Sequence, residues 1–240
     1  MRNAKVRLYV DQPLGKGQSV PLNREQAHYL FGVMRLDSKD AVLIFNGKDG
    51  EWLASVETAT KRGGALVVQN QTAAQQDPPD LWLLFAPIKK ARTDFIVEKA
   101  AEMGAARIMP IQTDHTNSDR IRQDRLQAHV VEAAEQCGGT YVPDVTELFK
   151  LDAVLKTWPE DRKILFCDET RAGDPSNLDA AKGKWAILIG PEGGFSDAER
   201  NRLAALPQSH SISLGPRILR ADTAVVAAMA LWQQALGDWQ

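Results

Sequence analysis

Along the first seventy residues the apolar positions fall in short runs broken by glycines: VRLYV (6–10), AVLIFNG (41–47), EWLASVET (51–58) and ALVVQN (65–70). Trp52, Ala54 and Val56 alternate with polar neighbours, the period of a strand with one buried face. Phe45-Asn46-Gly47-Lys48 and Lys48-Asp49-Gly50 carry the turn chemistry of a hairpin. A helix over about 23–34 interrupts the strands, with Asn23 as its cap and Glu25 or Gln26 in its first turn. This pattern predicts a small β-barrel-like module.

The segment Gln69 to Asp80, QNQTAAQQDPPD, is polar, has no period and reads as a linker. Beyond it the period changes. LWLLFAP (81–87), RIMPIQ (107–112), KILFCDE (163–169), KWAILIG (184–190) and SISLG (211–215) read as buried strands. Helical stretches separate them, over about 92–103, 118–137, 196–206 and 222–236. Strands alternating with helices predict a parallel sheet covered on both faces. The expected organisation is residues 1–72 as an all-β domain and 73–240 as an α/β domain, with no internal repeat.

With 44% hydrophobic and 25% charged residues, the chain is globular in composition, neither disordered nor fibrous. Its longest apolar run, from Ala224 to Trp232, is about half of what a membrane span needs. The start, MRNAKVRLYVDQP, has no apolar stretch after its basic residues, so no signal peptide is expected. Cys137 and Cys167 are too few and too far apart for a disulfide framework or a metal knuckle, and both are expected to pack rather than react. These features point to a reducing cytoplasm. The net charge of −2 hides an asymmetry. Residues 1–72 carry 10 basic and 7 acidic side chains, and 73–240 carry 19 and 24.

In an open parallel sheet, ligands bind beyond the carboxyl ends of the strands. Three such ends stand out. Gly190-Pro191-Glu192-Gly193-Gly194-Phe195 follows the strand AILI, and Ser196-Asp197-Ala198-Glu199 then forms a capping box that starts a helix. Such glycines let a ligand approach the backbone, and they equally serve an ordinary turn. The run is neither a dinucleotide fingerprint nor a phosphate loop. At the second end, Leu214-Gly215-Pro216-Arg217-Ile218-Leu219-Arg220-Ala221 enters a helix capped by Asp222 or Thr223. Arg217 and Arg220 are either surface charges or contacts for an anionic substrate. The helix AVVAAMALWQQAL is apolar nearly all round, as for a core helix or one shared with a subunit interface. At the third end, Cys167-Asp168-Glu169 offers two carboxylates that suit a ribose hydroxyl, a base or plain solvation. Lys89-Lys90-Ala91-Arg92 is a solvated helix start or a grip on a nucleic-acid backbone. The histidines at 28, 115, 129 and 210 show no metal-ligand spacing, so no metal is expected.

IGPEGGFSDAE (189–199) followed by LGPRILRADTA (214–224) resembles the paired signature of the RsmE family. These are SPOUT-class methyltransferases acting on N3 of a uridine in 16S ribosomal RNA. The resemblance extends along the chain. RLYV (7–10), His28 and Arg35 are similar to the family's PUA-like domain; Lys99, Glu102 and Gly104 in VEKAAEMGAARIMP resemble its K-x-x-E-x-G helix; EAAEQC with Val142-Pro143 resembles its central motif. Gly138-Gly139-Thr140-Tyr141 stands where the family usually has an arginine.

The resemblance implies a trefoil-knotted α/β methyltransferase domain with a parallel sheet, preceded by a small PUA-like β-barrel, and a cytoplasmic homodimer that binds S-adenosylmethionine. It assigns the cofactor to Ile189, Gly190, Pro191, Glu192 and Gly194, and to Leu214, Gly215, Ile218, Leu219, Arg220 and Ala221. RNA, met within the small ribosomal subunit, would touch Arg7, His28, Arg35, Lys89, Lys90, Arg92 and Arg217. Arg220 is the first choice for stabilising the charge that develops on the uracil, with Glu192 and Asp168 as candidate bases. The rival expectations are a SPOUT enzyme acting on another RNA or base atom, and a non-catalytic RNA-binding assembly factor.

Overall fold

Two units make up the chain, Met1–Asp77 with Ala134–Val142, and Pro78–Ala133 with Pro143–Gln240. The computed structural model describes residues 4, 6–38, 40–60, 63–173, 178 and 181–239. In the first unit, β1 (Arg7–Tyr9), β2 (Ser19–Leu22), α1 (Arg24–Ala27), β3 (Ala41–Phe45), β4 (Glu51–Thr60) and β5 (Gly63–Ala73) form one sheet and its covering turn. The strands pair in the order β1-β3-β4-β5-β2, with β1 parallel to β3 and every other pair antiparallel. Alternate residues Val42, Ile44, Ala54, Val56, Leu66 and Val68 face one core, joined by Val20, Leu22, Ala27 and Leu30. Bulges along β4 and β5 bend the sheet around that core.

Three features of this unit differ from the reading of the sequence. Strand β2 is additional: it holds Pro21, which removes a ladder donor and is tolerated because β2 is an edge strand paired with β5 alone. Strand β5 continues through the first five residues of the expected linker, with Gln71 opposite Trp52 and Ala73 opposite Glu51. Cross-strand pairing there overrides a polar composition. The expected helix over 23–34 is only one α-turn, closed by the Asn23–Gln26 capping box, before His28–Val33 widens into a π-turn. The wide turn keeps Leu30 in the core and leaves Val33, Met34 and Arg35 exposed.

The second unit contains β6 (Leu81–Phe85), α2 (Lys90–Glu102), β7 (Arg107–Gln112), α3 (Gln123–Cys137, whose last turn belongs to the first unit), β8 (Asp144–Val145), β9 (Phe149–Lys150), α4 (Leu151–Lys156), β10 (Arg162–Cys167), β11 (Lys184–Ile189), α5 (Asp197–Ala205), β12 (Ser209–Ile212) and α6 (Ala221–Leu236). Its seven strands are all parallel, in the order β12-β10-β11-β6-β7-β8, with β9 also on β7. Burial on both faces explains the continuous apolar runs of β6, β10 and β11. The two-residue strands β8 and β9 and the short α4 have no periodic signal and were not expected. Helix α3 begins five residues later than its apolar pattern suggests. Before it, the Ser118 hydroxyl donates to the Arg120 carbonyl, the kind of local bond that competes with helix. Cys167 is buried as expected, whereas Cys137 is exposed at the end of α3 and does not pack.

One register row sets the geometry of the site. Pro110, Phe85, Ile189, Cys167 and Ile212 stand side by side across β7, β6, β11, β10 and β12. These strands therefore finish nearly level, and the loops after β10, β11 and β12 leave from adjacent positions.

In the first unit the hairpin between β3 and β4 carries a saturated polar cluster. The buried Asn46 accepts from the amides of Lys48 and Asp49 at 3.0 and 2.8 Å, and donates to the Asp49 carboxylate at 2.7 Å. That carboxylate also accepts from the Leu14 amide at 2.9 Å. The Leu14 bond first, then the Asn46 bond, hold the Asp49 carboxyl below its ordinary pKa. Its contribution to stability is thus present above the unfolded value of about 3.9 and is lost as pH falls through the lower folded value. In urea unfolding, wild type is expected to lose more stability than Asp49→Asn between about pH 6 and about pH 3. Equal losses would contradict this role.

Candidate active site

The loops after β10, β11 and β12 enclose a cavity of about 330 Å³, within the range of small-molecule sites. From the β11 loop, Ile189, Gly190, Pro191, Glu192 and Gly194 lie on its wall. From the β12 loop come Leu214, Gly215, Arg217, Ile218, Leu219 and Arg220, followed by Ala221 and Ala224 of α6. From β10 and its loop come Cys167, Asp168, Glu169 and Ala172. The structure thus brings every residue expected at the cofactor, together with the candidates Arg220, Glu192 and Asp168, around one space.

The glycines have separate reasons to be there. A Cβ on Gly190 would lie 2.6 Å from the ring of Phe195, which is itself buried edge-on against Phe166. Gly194 has φ +69°, and a Cβ there would fall 2.1 Å from Glu169 Oε1. That carboxylate is not free to move: it accepts from the Phe195 amide at 3.3 Å and pairs with Arg200. Gly215, at φ +109°, offers its carbonyl to the Gly173 amide at 2.9 Å, which closes the β10 loop against the β12 loop. Ser196 and Glu199 form the expected capping box, so α5 starts directly behind the β11 loop. On the outer side of that loop, His115 Nδ1 lies 3.0 and 3.2 Å from the carbonyls of Gly193 and Gly194.

The charged candidates differ in how free they are. Arg217 and Arg220 are exposed, and their side chains have no hydrogen-bond or ion-pair partner among the described residues. Asp168 is nearly covered, accepting from the Thr170 amide and hydroxyl at 3.0 and 2.8 Å with Arg200 Nε at 3.5 Å. Glu192 stands at the rim, half exposed and paired with Arg92. Burial pushes the Cys167 thiol well up, so it lines the floor without acting as a nucleophile.

Two expected RNA contacts are otherwise engaged. The Arg7 guanidinium pairs with Glu51 at 2.7 Å, donates to the carbonyls of Ala134 and Gly139, and stacks on Phe45. Arg92 is shared between Glu192 and Asp222. Lys89 and Lys90 beside it are exposed, as are His28 and Arg35 in the first unit; Arg35, at φ 55°, is the one left-handed non-glycine among the described residues. The start of α6 is also different from expectation. Arg220 holds the cap position without a side-chain bond, and Asp222 turns instead to Arg92. The sequence reading missed Arg200 and Glu169 as the clamp on the β11 loop, because a pair 31 residues apart leaves no local pattern. Among the described residues no group of three or more His, Cys, Asp or Glu side chains is placed to hold a metal, and no helix is long and apolar enough to cross a membrane.

A parallel α/β unit carries the cavity at its level strand ends and follows a small mostly antiparallel unit; the family comparisons place this arrangement in the RNA methyltransferase class. A family model described as an RNA methyltransferase domain matches residues 75–233, and one described as an RNA methyltransferase PUA domain matches residues 22–69. The chain belongs to this RNA methyltransferase family, and the resemblance to RsmE drawn from the two glycine loops is borne out. It is 29% identical over 229 residues to the ribosomal RNA small subunit methyltransferase E of Rickettsia conorii, covering 93% of each chain. Its fold is similar to that of a ribosomal RNA small subunit methyltransferase E from Neisseria gonorrhoeae solved bound to S-adenosylmethionine: TM-score 0.89, 26% identity, covering 98% of this chain and 99% of that one. A methyltransferase of Legionella pneumophila, also solved with S-adenosylmethionine, matches with TM-score 0.88 and 28% identity over 97% and 98% of the two chains.

The Gly194–Glu169–Arg200 clamp yields a stability test. Gly194→Ala is expected to cost about 1–3 kcal/mol in chemical denaturation, because it adds both left-handed strain and a collision with a pinned carboxylate. A denaturation curve superimposable on wild type would show that the loop is not clamped there.

Proposed function

We propose that this chain transfers a methyl group from S-adenosylmethionine to N3 of a specific uridine in 16S ribosomal RNA of the small subunit, working in the cytoplasm as a homodimer. The observation that carries this reading is the cavity where the β11 and β12 glycine loops meet, in a chain similar over nearly its whole length to two proteins solved with that cofactor. The cavity suits the group. Gly190, Gly194 and Gly215 lie on its wall, Ile189, Leu214 and Leu219 offer apolar surface, and no phosphate fingerprint competes. When bound, the cofactor would supply an electrophilic methyl carbon, and its sulfonium sulfur would take back the bonding pair as a neutral thioether.

Residues 1–72 are assigned to RNA docking through His28 and Arg35, and residues 73–240 to methyl transfer, with the knot of the SPOUT class passing through the loops at 190–194 and 214–221. Lys89, Lys90 and Arg217 then meet the RNA backbone. Leu231 on α6 and Phe95 on α2 are apolar and exposed, 47% and 39%, on two helices that pack together, which supports a subunit contact there.

N3 lies on the Watson–Crick edge, so the uridine enters unpaired or flipped. Its N3 proton must leave as the N3–carbon bond forms. We assign to Arg220, exposed at the cavity wall with no partner among the described residues, the stabilisation of the negative charge that spreads to the uracil carbonyls. Of the two candidate bases, Glu192 at the rim is the more exposed, 48% against 11% for Asp168, although each carboxylate has an arginine beside it. Alignment of nitrogen with methyl carbon supplies much of the remaining rate.

Mass spectrometry of 16S RNA from a deletion strain and its parent is expected to show loss of one N3-methyluridine. Loss of a methyl group elsewhere would assign the chain to another RNA site, and no loss would favour a non-catalytic assembly factor. In vitro, Arg220→Ala is expected to lower methyl transfer about 10²-fold or more with cofactor binding little changed. Unchanged transfer would remove Arg220 from this role.

A further inference from the structure

We infer that Arg92 is a positioning residue whose single guanidinium fixes the β11 loop and the end of the β12 loop relative to each other, and thereby places Arg220. The inference rests on reading the cavity as the S-adenosylmethionine site. Arg92 sits in the first turn of α2, outside the cavity wall. Its Nε and Nη2 reach the two oxygens of Asp222 at 2.9 and 3.2 Å, a bidentate fork. Its Nη1 pairs with Glu192 on the β11 loop. One planar group therefore joins segments 100 and 130 residues away along the chain.

The base from which Arg92 reaches is itself held. The neighbouring Thr93 hydroxyl is buried and bonds both the amide and the carbonyl of Ile88 at 3.0 Å, pinning the turn that leads into α2. The far side is not held in any comparable way. Residues 216–219 make no backbone hydrogen bond among the described residues, and Arg220 caps α6 without using its side chain. The stretch is bounded by the Gly215–Gly173 bond and the buried first turn of α6, and Asp222, two residues beyond Arg220, adds its side-chain tie to α2. Neither Asp222 nor Glu192 has another cationic partner among the described residues. Without Arg92, both carboxylates lose the one counter-charge they have among the described residues, and the segment 216–221 loses its side-chain tie to α2. The sequence motif offered Arg92 as a phosphate contact; the geometry gives it this inward task.

The test compares wild type, Arg92→Met, Arg92→Lys and, as a control for loss of an exposed pair, Arg122→Met, whose partner is Asp124 on the same surface. Amide hydrogen exchange of the cofactor-free protein is expected to rise in 190–194 and 214–221 for Arg92→Met, and to stay at the wild-type level for Arg122→Met. Calorimetric titration with S-adenosylmethionine is expected to show binding weakened about tenfold to a hundredfold in Arg92→Met. At saturating cofactor kcat is expected to remain depressed, since Arg220 is displaced. Arg92→Lys keeps the charge but not the fork, and is expected to fall between wild type and Arg92→Met. If Arg92→Met does not fold, Asp222→Asn, which breaks only the fork, must raise exchange in 214–221. A folded Arg92→Met with unchanged exchange in both loops, or with kcat restored by saturating cofactor, overturns the inference. Wild type that binds no S-adenosylmethionine would instead overturn the reading of the cavity, while the exchange measurement would still decide the role of Arg92.

Discussion

The site depends on the register of a parallel sheet. Because Cys167 pairs with both Ile189 and Ile212, three neighbouring strands end at one level, and three successive loops must share the space above them. Parallel strands in the middle of the sheet are buried on both faces, so β6, β10 and β11 are largely continuous apolar runs, while the outer β8, β9 and β12 are short and partly exposed. That leaves the chemistry to the loops. Glycine is required where backbone passes close to Phe195 or Glu169, and the charged residues gather where the strands stop. The cavity follows from strand lengths and loop origins before any ligand is considered.

This explains which parts of the structure were legible in the sequence. The buried strands β6, β7, β10 and β11 announced themselves as apolar runs, and α5 by its Ser196–Glu199 capping box. The two glycine loops were legible because each follows such a run directly. What escaped has a physical pattern as well. Strand β2 was hidden by Pro21, acceptable only because the strand turned out to be an edge. The polar end of β5 is held in the sheet by β4, information that lies some twenty residues away. The π-turn at His28–Val33 has the same apolar spacing as the α-helix it replaces, so periodicity cannot separate the two.

Charge was the least legible property. The overall balance of −2 says little about partners, and the local basic clusters said too much. Arg7 and Arg92 both read as contacts for RNA, yet each is consumed by carboxylates and carbonyls far away in sequence. Arg217 and Arg220, from an equally basic loop, have no partner among the described residues and line the cavity. The difference lies entirely in long-range pairing: Arg92 to Glu192 and Asp222, Arg200 to Asp168 and Glu169. Those pairs border the cavity, while Arg217 and Arg220 line its edge.

The central claim is that the level ends of β10, β11 and β12 form the place where S-adenosylmethionine is held. A crystal structure of the chain grown with S-adenosylmethionine tests it most directly. The account requires density for the cofactor between residues 190–194 and 214–221, with its methyl carbon open toward Arg220. Cofactor found elsewhere on the molecule, with this cavity filled only by water, would contradict it.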